Sequence, residues 1–441
     1  MLRSFALGLL ATAASSAMVV VTTLCALPHS AVAQDNDASS TPIVEGKHPV
    51  HGIDHLDHIF LIMMENHAYA QVIGNPQMPF FNHLAKTANL ATNYFAVGHP
   101  SLTNYLEIVG GSNFGIRNDN SPSWHTAPCA PGTAIYLENV SSSICPIAGM
   151  GTDAETPPID TTNEAPGQST IDVDGKVGYP SRAIVGKTIA DQLVAHGRSW
   201  KAYAESLPPT GADGVNSADG FFSNLNLTSK STTPPTSSYN SSLTFNGTVQ
   251  GLYAVKHTPF AYFASVQSGT DPNNSLKNIV SFDGAHGLFE DLSRGKLPSL
   301  VYIVPNQCND QHGRNGATAG PACDYDQTDN GTLTGLNPAL MYQGDVTLRR
   351  LVVAIKSSPA WKTGRNAIVI VWDENDYSIA PTTNQVALVV DTNESDSHGV
   401  QSNHFYTSFS LLKTMEAGFG LPCLNHACDK DVPVMADLFG H

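Results

Sequence analysis

The sequence predicts an α/β fold: a doubly wound, mainly parallel sheet with helices on both faces and long loop insertions. Three observations carry this. Short runs of five to seven apolar residues alternate along the chain with longer segments whose apolar residues recur at roughly 3.6 spacing. Most of those runs are apolar throughout, as strands buried on both faces must be, with Lys201 and Ser265 the interruptions, and they do not alternate as a half-exposed sheet would. The chain has 441 residues, enough for one large core or two smaller ones.

The strands expected in order are 59–64, 200–204, 260–266, 300–304, 367–372 and 386–390. Helices are expected at 79–91, 102–109, 186–196, 285–294, 344–357 and 405–417. Regular alternation of this kind favours a parallel sheet, because parallel neighbours need a crossover. Two stretches rich in Gly, Pro, Ser and Thr, 112–181 and 206–249, read as surface insertions into one domain over 55–441, with 34–54 as an extension before it. Residues 1–33 read as a secretory signal peptide: Arg3 stands near the start, an apolar stretch runs through Leu27, and Ala31-Val32-Ala33 precedes Gln34. A secreted, periplasmic or extracellular protein is therefore expected, with no transmembrane segment after signal removal.

Removal of that leader takes Cys25 with it and leaves six cysteines, which fall by sequence into Cys129/Cys145, Cys308/Cys323 and Cys423/Cys428. Three local disulfides suit an oxidising compartment, and none of the spacings is that of a zinc finger. The 22 Lys+Arg against 38 Asp+Glu give a net charge of -16, which repels phosphate backbones and argues against nucleic-acid binding. Gly110-Gly111-Ser112-Asn113-Phe114 lacks the last glycine of a nucleophile elbow, and Gly186-Lys187-Thr188 lacks the glycine of a phosphate-binding loop.

Three strands end alike. The first runs into Glu65-Asn66, the 300–304 strand into Asn306, Asn309-Asp310 and His312, and the 367–372 strand into Asp373-Glu374-Asn375-Asp376. In an open parallel sheet ligands bind beyond the carboxyl ends of the strands, so three such endings would gather oxygen donors around one point. A hard divalent cation gives that gathering a physical cause. A helix begins near Ser101, with Leu102, Tyr105, Leu106 and Val109 on one face. Serine there is an ordinary helix cap, but a helix N-terminus also attracts anions. A metal touching Ser101 would favour its alkoxide as a nucleophile, with Asn104 one turn on to donate to a phosphate oxygen.

Taken in order, Glu65-Asn66-His67-Ala68-Tyr69 with Gly74, His99-Pro100-Ser101-Leu102-Thr103-Asn104-Tyr105, Pro305-Asn306 with Asn309-Asp310-Gln311-His312, Trp372-Asp373-Glu374-Asn375-Asp376 and Asn403-His404-Phe405 resemble the phosphoesterase family of the alkaline phosphatase superfamily, which includes secreted acid phosphatases and bacterial phospholipases C. The resemblance covers roughly residues 55 to 440. It implies an alkaline phosphatase-like sheet, a phosphoseryl intermediate on Ser101, and a divalent ion (Ca, Mg, Mn or Zn) held by Glu65, Asn66, Asp373 and Glu374, with Ser101 and Asp310 as further ligand candidates. Asn104 inherits the phosphoryl donor role, and a protonated His312 or His404 would stabilise the leaving alkoxide, so that the rate falls above the imidazole pKa. His67-Ala68-Tyr69-Ala70 stands where the family's phospholipases carry Arg-Ser-Phe-Asp, which favours a phosphomonoesterase. A phospholipase C or other phosphodiesterase is the alternative, with phospholipid as its substrate, and a non-catalytic extracellular metal-binding protein is the third.

Overall fold

The structure is a computed structural model that describes residues 44–114, 184–207, 212, 252–314, 321–328, 331–375, 384–394 and 398–440, together with strand residues 221–222 and 243–244. The expected leader, most of both insertions, the Cys129/Cys145 pair and Asp376 lie outside the described residues. The elements that frame the site are, in chain order, β1 (His58–Met64), α1 (Pro79–Thr87), β2 (Asn89–Ala91), α2 (Ser101–Gly110), α3 (Ile189–Ala195), β3 (Trp200–Ala204), β4 (Ile279–Ser281), α4 (Leu288–Arg294), β5 (Leu300–Val304), α5 (Pro338–Ser357), β6 (Asn366–Trp372), β7 (Leu388–Thr392), β8 (Gln401–Ser402) and α6 (Ser408–Phe419).

Eight strands form one sheet in the order β8-β2-β7-β6-β1-β5-β3-β4. Neighbours run parallel except where β7 pairs with β6 and β2. The sheet is thus mainly parallel, as expected, with one reversed strand. Ile59 through Met64 and Ala367 through Trp372 are fully buried, which explains why both runs are apolar without alternation. Trp372 lies beside Met64 and Ile62 beside Ile303, so this register brings β1, β5 and β6 to a finish at the same edge.

Several expected elements differ, most in their bounds and one in kind. Residues 260–266 are not a strand but a 3-10 turn, Pro259–Tyr262, followed by the short helix Ala264–Gln267. Pro259 starts the turn, and the buried aromatics Phe260, Tyr262 and Phe263 made a compact turn look like a strand. Beside β3 lies β4, a short strand that was not among those expected. Helix α1 stops at Thr87, and Asn89–Ala91 becomes β2 because it pairs with β7. Strand β7 begins at Leu388 and is antiparallel, while Val386 forms only a bridge to Ala68. Helix α5 begins at Pro338, six residues before the expected 344, with the Asn337 side chain accepting from the Ala339 N–H.

Cys308–Cys323 and Cys423–Cys428 are bonded as the short spacings suggest. No helix among the described residues is long and apolar enough to cross a membrane.

Candidate active site

Beyond the shared edge of β1, β5 and β6, the first residues to leave β1 and β6 are Glu65 and Asp373, and the turn after β5 brings Asp310 beside them. The Glu65 N–H donates to the Asp310 carbonyl at 2.9 Å, and the Asp373 N–H to the Met64 carbonyl at 3.0 Å. The strand ends are therefore stitched together by backbone before their side chains begin to act. Glu65, Asp310, Asp373 and Glu374 are all buried there. Asn66 is half-buried and contributes its N–H to Asp373 Oδ1 at 3.2 Å.

Helix α2 closes the site from the other side. Its cap position is Pro100, so Ser101 is the first helical residue and its hydroxyl is not spent on the helix backbone. That hydroxyl donates to Glu374 Oε1 at 2.8 Å and lies 3.4 Å from Glu65 Oε2. Asn104 Nδ2 donates to Glu374 Oε2 at 3.1 Å and to the Gly98 carbonyl at 2.7 Å, while its Oδ1 accepts from the Val97 and Gly98 N–H groups at 3.0 Å. Asn104 thereby holds the turn that delivers Ser101. One turn along the helix, Tyr105 donates its hydroxyl to Glu65 Oε1 at 2.6 Å.

Positive charge comes from a segment that sequence reasoning passed over. His257, buried in the turn Val255–His257, stacks on Tyr105 with ring centroids 5.2 Å apart, puts Nε2 2.9 Å from Glu65 Oε1, and puts Nδ1 3.4 Å from Asp310 Oδ2. Burial opposes its protonation, but the Glu65 and Asp310 carboxylates carry its pKa up to about 9. Burial likewise opposes ionisation of Glu65, yet His257, with Lys256 and His312 behind it, holds that carboxyl well below the usual range. Lys256 itself is buried beside His257. His99 adds a contact of 2.8 Å from Nδ1 to Glu374 Oε2. His99 belongs to the His-Pro-Ser run that leads into α2, and its residue type alone indicates no role there. His257 and Lys256 follow an apolar stretch with no carboxylate nearby in sequence, so no local signal marks them.

Two expectations about histidines change. His312 does sit beside the cluster, its N–H donating to Asp310 Oδ1 at 2.8 Å and its ring 6.1 Å from that of His257. Burial and the Lys256 charge lower its pKa to about 4, so it is neutral where a protonated acid was expected. The imidazole of this cluster whose pKa the surrounding carboxylates raise is His257. His404 is elsewhere: its side chain is 69% exposed, and Nδ1 lies 3.3 Å from Asp437 Oδ2 and from the Tyr406 hydroxyl. It ties a surface turn to the chain's last segment, because β8 is the outer strand of the sheet and Asn403-His404 come directly after it.

The donor set fits a divalent cation. Asp373 Oδ2 is buried without a hydrogen-bond partner. Burial first, then the neighbouring Glu65 and Glu374, pushes the Asp373 carboxyl well above the usual range. A cation among these oxygens would relieve both defects, and an all-oxygen set of this kind suits Ca, Mg or Mn, whereas Zn would draw on a histidine. Among the described residues no three His, Cys, Asp or Glu side chains are already gathered at metal-holding spacing. Glu65 is turned to Tyr105 and His257, and Glu374 to Ser101, Asn104 and His99.

Residues 75–324 match the Phosphoesterase family. A phosphatidylinositol-3-phosphatase of Mycobacterium tuberculosis is 22% identical over 390 residues, 87% of this chain and 83% of that protein. An acid phosphatase of Aspergillus fumigatus is 23% identical over 365 residues, and a phosphate-repressible acid phosphatase of Penicillium chrysogenum 24% over 341 residues; they align with 83% and 77% of this chain. The chain spans 55% and 54% of those two fungal relatives. A protein of the alkaline phosphatase superfamily from Vibrio parahaemolyticus superposes with a TM-score of 0.42 at 12% identity, over 86% of this chain and 70% of that one. Because the family match extends over more than half of its length and takes in Ser101, Asn104 and Asp310, this chain belongs to the Phosphoesterase family, whose enzymes hydrolyse phosphoric ester bonds.

Proposed function

We propose that this chain is a metal-dependent phosphomonoesterase of the acid phosphatase kind, acting outside the cytoplasm through a phosphoserine at Ser101. The observation that carries the reading is the Ser101 hydroxyl, held at the N-terminus of α2, bonded to the buried Glu374 carboxylate and 3.4 Å from that of Glu65. A helix start attracts the phosphoryl oxygens, and the bonded carboxylate gives the hydroxyl proton a place to go. Glu65, Asn66, Asp373 and Glu374 would hold the cation, with Asp310 and Ser101 at its margin. When bound, such a cation supplies Lewis-acid stabilisation of phosphoryl charge.

Ser101 Oγ attacks phosphorus as its proton passes to Glu374, the bond from phosphorus to the leaving oxygen breaks, and that oxygen takes a proton from solvent. Asn104 Nδ2 is placed to exchange its bond to Glu374 for one to a phosphoryl oxygen. Charge accumulates on oxygens in this step, so the fixed positive charges of His257 and Lys256 favour it. Water then attacks the phosphoseryl group, phosphate departs, and Ser101 recovers its proton. His404 has no part in this scheme.

The two disulfides support an oxidising compartment, as does the expected leader. A lipid-borne phosphomonoester is a second substrate class, supported by the mycobacterial relative that aligns over most of both chains. Hydrolysis of p-nitrophenyl phosphate, bis(p-nitrophenyl) phosphate and a phosphatidylinositol monophosphate, each with and without EDTA, tests the reading on the parent and on Ser101→Ala. Monoester turnover that EDTA removes and Ser101→Ala abolishes is the expected result. Turnover of the diester alone, or equal turnover in Ser101→Ala, would overturn it.

A further inference from the structure

We propose that Glu205 and Gln311 are positioning residues: from opposite sides they fix the turn 306–312 so that Asp310 and His312 face the carboxyl cluster. The catalytic part of this inference rests on the function proposed for Ser101.

On one side, Glu205 comes directly after β3. Its Oε2 accepts from the Asn306 N–H at 3.0 Å and from Asn309 Nδ2 at 2.7 Å. Asn306 Oδ1 in turn accepts from the Cys308 and Asn309 N–H groups, each at 3.1 Å, and its Nδ2 donates to Ser206 Oγ at 3.1 Å. Gln343 of α5 donates to Asn309 Oδ1 at 3.0 Å. Glu205, Asn306 and Asn309 are all buried, so these bonds are not interchangeable with bonds to water. Ser206 adopts φ 58, a left-handed conformation that a non-glycine residue keeps only when its surroundings impose it.

On the other side, Gln311 adopts φ 83 and is fully buried. Its Nε2 donates to the Met341 carbonyl of α5 at 2.9 Å, and its Oε1 accepts from Trp372 Nε1 at 3.1 Å. Trp372 immediately precedes Asp373. One amide therefore ties the turn that carries Asp310 to the strand that carries Asp373. Room for it is made by Gly344 in the middle of α5, where an added Cβ would stand 2.3 to 2.6 Å from the Gln311 side chain. A glycine inside a helix and a left-handed glutamine beside it are each unfavourable alone. Together they point Gln311 inward and leave Asp310 and His312, its two neighbours, on the side of His257.

A purely structural network would predict lost stability and nothing more. The test uses the full chain and the variants Glu205→Ala, Glu205→Gln, Gln311→Met and the Glu205→Ala/Gln311→Met pair, with kcat and KM on p-nitrophenyl phosphate, thermal midpoints, and amide hydrogen exchange of peptides across 300–314. Gln311→Met keeps the volume and removes both polar ends. Glu205→Ala and Gln311→Met are expected to lower kcat by about 10- to 100-fold with KM changed less than about threefold, since small misplacements at a reacting centre cost that much. Exchange at 306–312 should quicken, and Glu205→Gln should restore both readouts, because its amide oxygen can accept the same two donors. The pair should be less than multiplicative, as expected of two groups acting on one turn. Folded Glu205→Ala or Gln311→Met with parental kcat, or Glu205→Ala and Glu205→Gln equally impaired, would overturn the proposal. Should the parent turn over no ester, the proposed function fails, and exchange alone then decides: unaltered protection at 306–312 in the variants refutes the clamp.

Discussion

Glu65 and His257, 192 positions apart in the chain, form a fully buried ion pair with Oε1 and Nε2 2.9 Å apart. Each partner shifts the other in the direction of charge, and Asp310 and Tyr105 complete the hydrogen bonding around them.

Removing one member of this pair leaves an uncompensated buried charge, which typically costs about 3–5 kcal/mol. For His257→Ala the unfolding free energy of metal-stripped protein should fall by about that amount, and phosphatase activity should fall with it. In the parent the sign with pH comes from the raised pKa: stability from His257 is complete below the ordinary histidine value of 6.5 and is lost as pH rises through about 9. Denaturant titrations of metal-free protein at pH 6, 8 and 10 measure this, and a His257→Ala curve as steep as the parent's would contradict it.

Asp373 is predicted to be the residue whose charge a divalent cation restores. Addition of Mn or Ca to EDTA-treated protein should raise the thermal midpoint, with about 2.7 kcal/mol gained at a hundredfold excess over Kd. Asp373→Asn should lose most of that gain while folding normally without metal, since burial and the neighbouring Glu65 and Glu374 already push its carboxyl toward the neutral form there. Equal stabilisation of parent and variant would place the cation elsewhere.

Asn104→Asp should be worse for turnover than Asn104→Ala. The new carboxylate would face Glu374 Oε2 and the Gly98 carbonyl, two acceptors that now receive the amide. A loss in kcat of about 100-fold or more is expected for Asp, in line with loss of a transition-state donor. Steady-state kinetics of the two variants decides the order.

Away from the site, Asp345 of α5 caps the start of α1 by accepting from the Phe80 N–H at 3.0 Å and the Phe81 N–H at 2.7 Å. Burial raises its pKa to about 6 despite those donors. Its folded-state pKa is thus above the unfolded one, so stability is greatest below about pH 3.8 with respect to this group and declines as pH rises through 6. Asp345→Asn should flatten that segment of the stability profile, and Asp345→Ala should cost about 1 kcal/mol through loss of the cap. Chemical denaturation across pH 4 to 7 separates the two.

The strand endings were legible because burial on both faces leaves a strand only its terminus for charged residues, so Glu65, Asp310 and Asp373-Glu374 stood out against apolar runs. Ser101 was legible as a helix start, although its hydroxyl proved to serve Glu374 and not the helix backbone. The 260–266 turn was misread because buried aromatics satisfy a strand pattern and a 3-10 turn equally well. His404 was overestimated since a motif near the end of the chain says nothing about which edge of the sheet it lies beside.

By itself the sequence determined the sheet, its mainly parallel direction, the helix that presents Ser101 and the acidic character of the strand ends, all of which are local consequences of apolar periodicity and of polar residues that interrupt it. Only the tertiary structure decided which charges face one another. The imidazole that balances Glu65 arrives from a turn with no acidic neighbour in sequence, and His312 loses its proton to burial beside Lys256. Pairing and desolvation of this kind depend on distance in space, and position along the chain does not encode them.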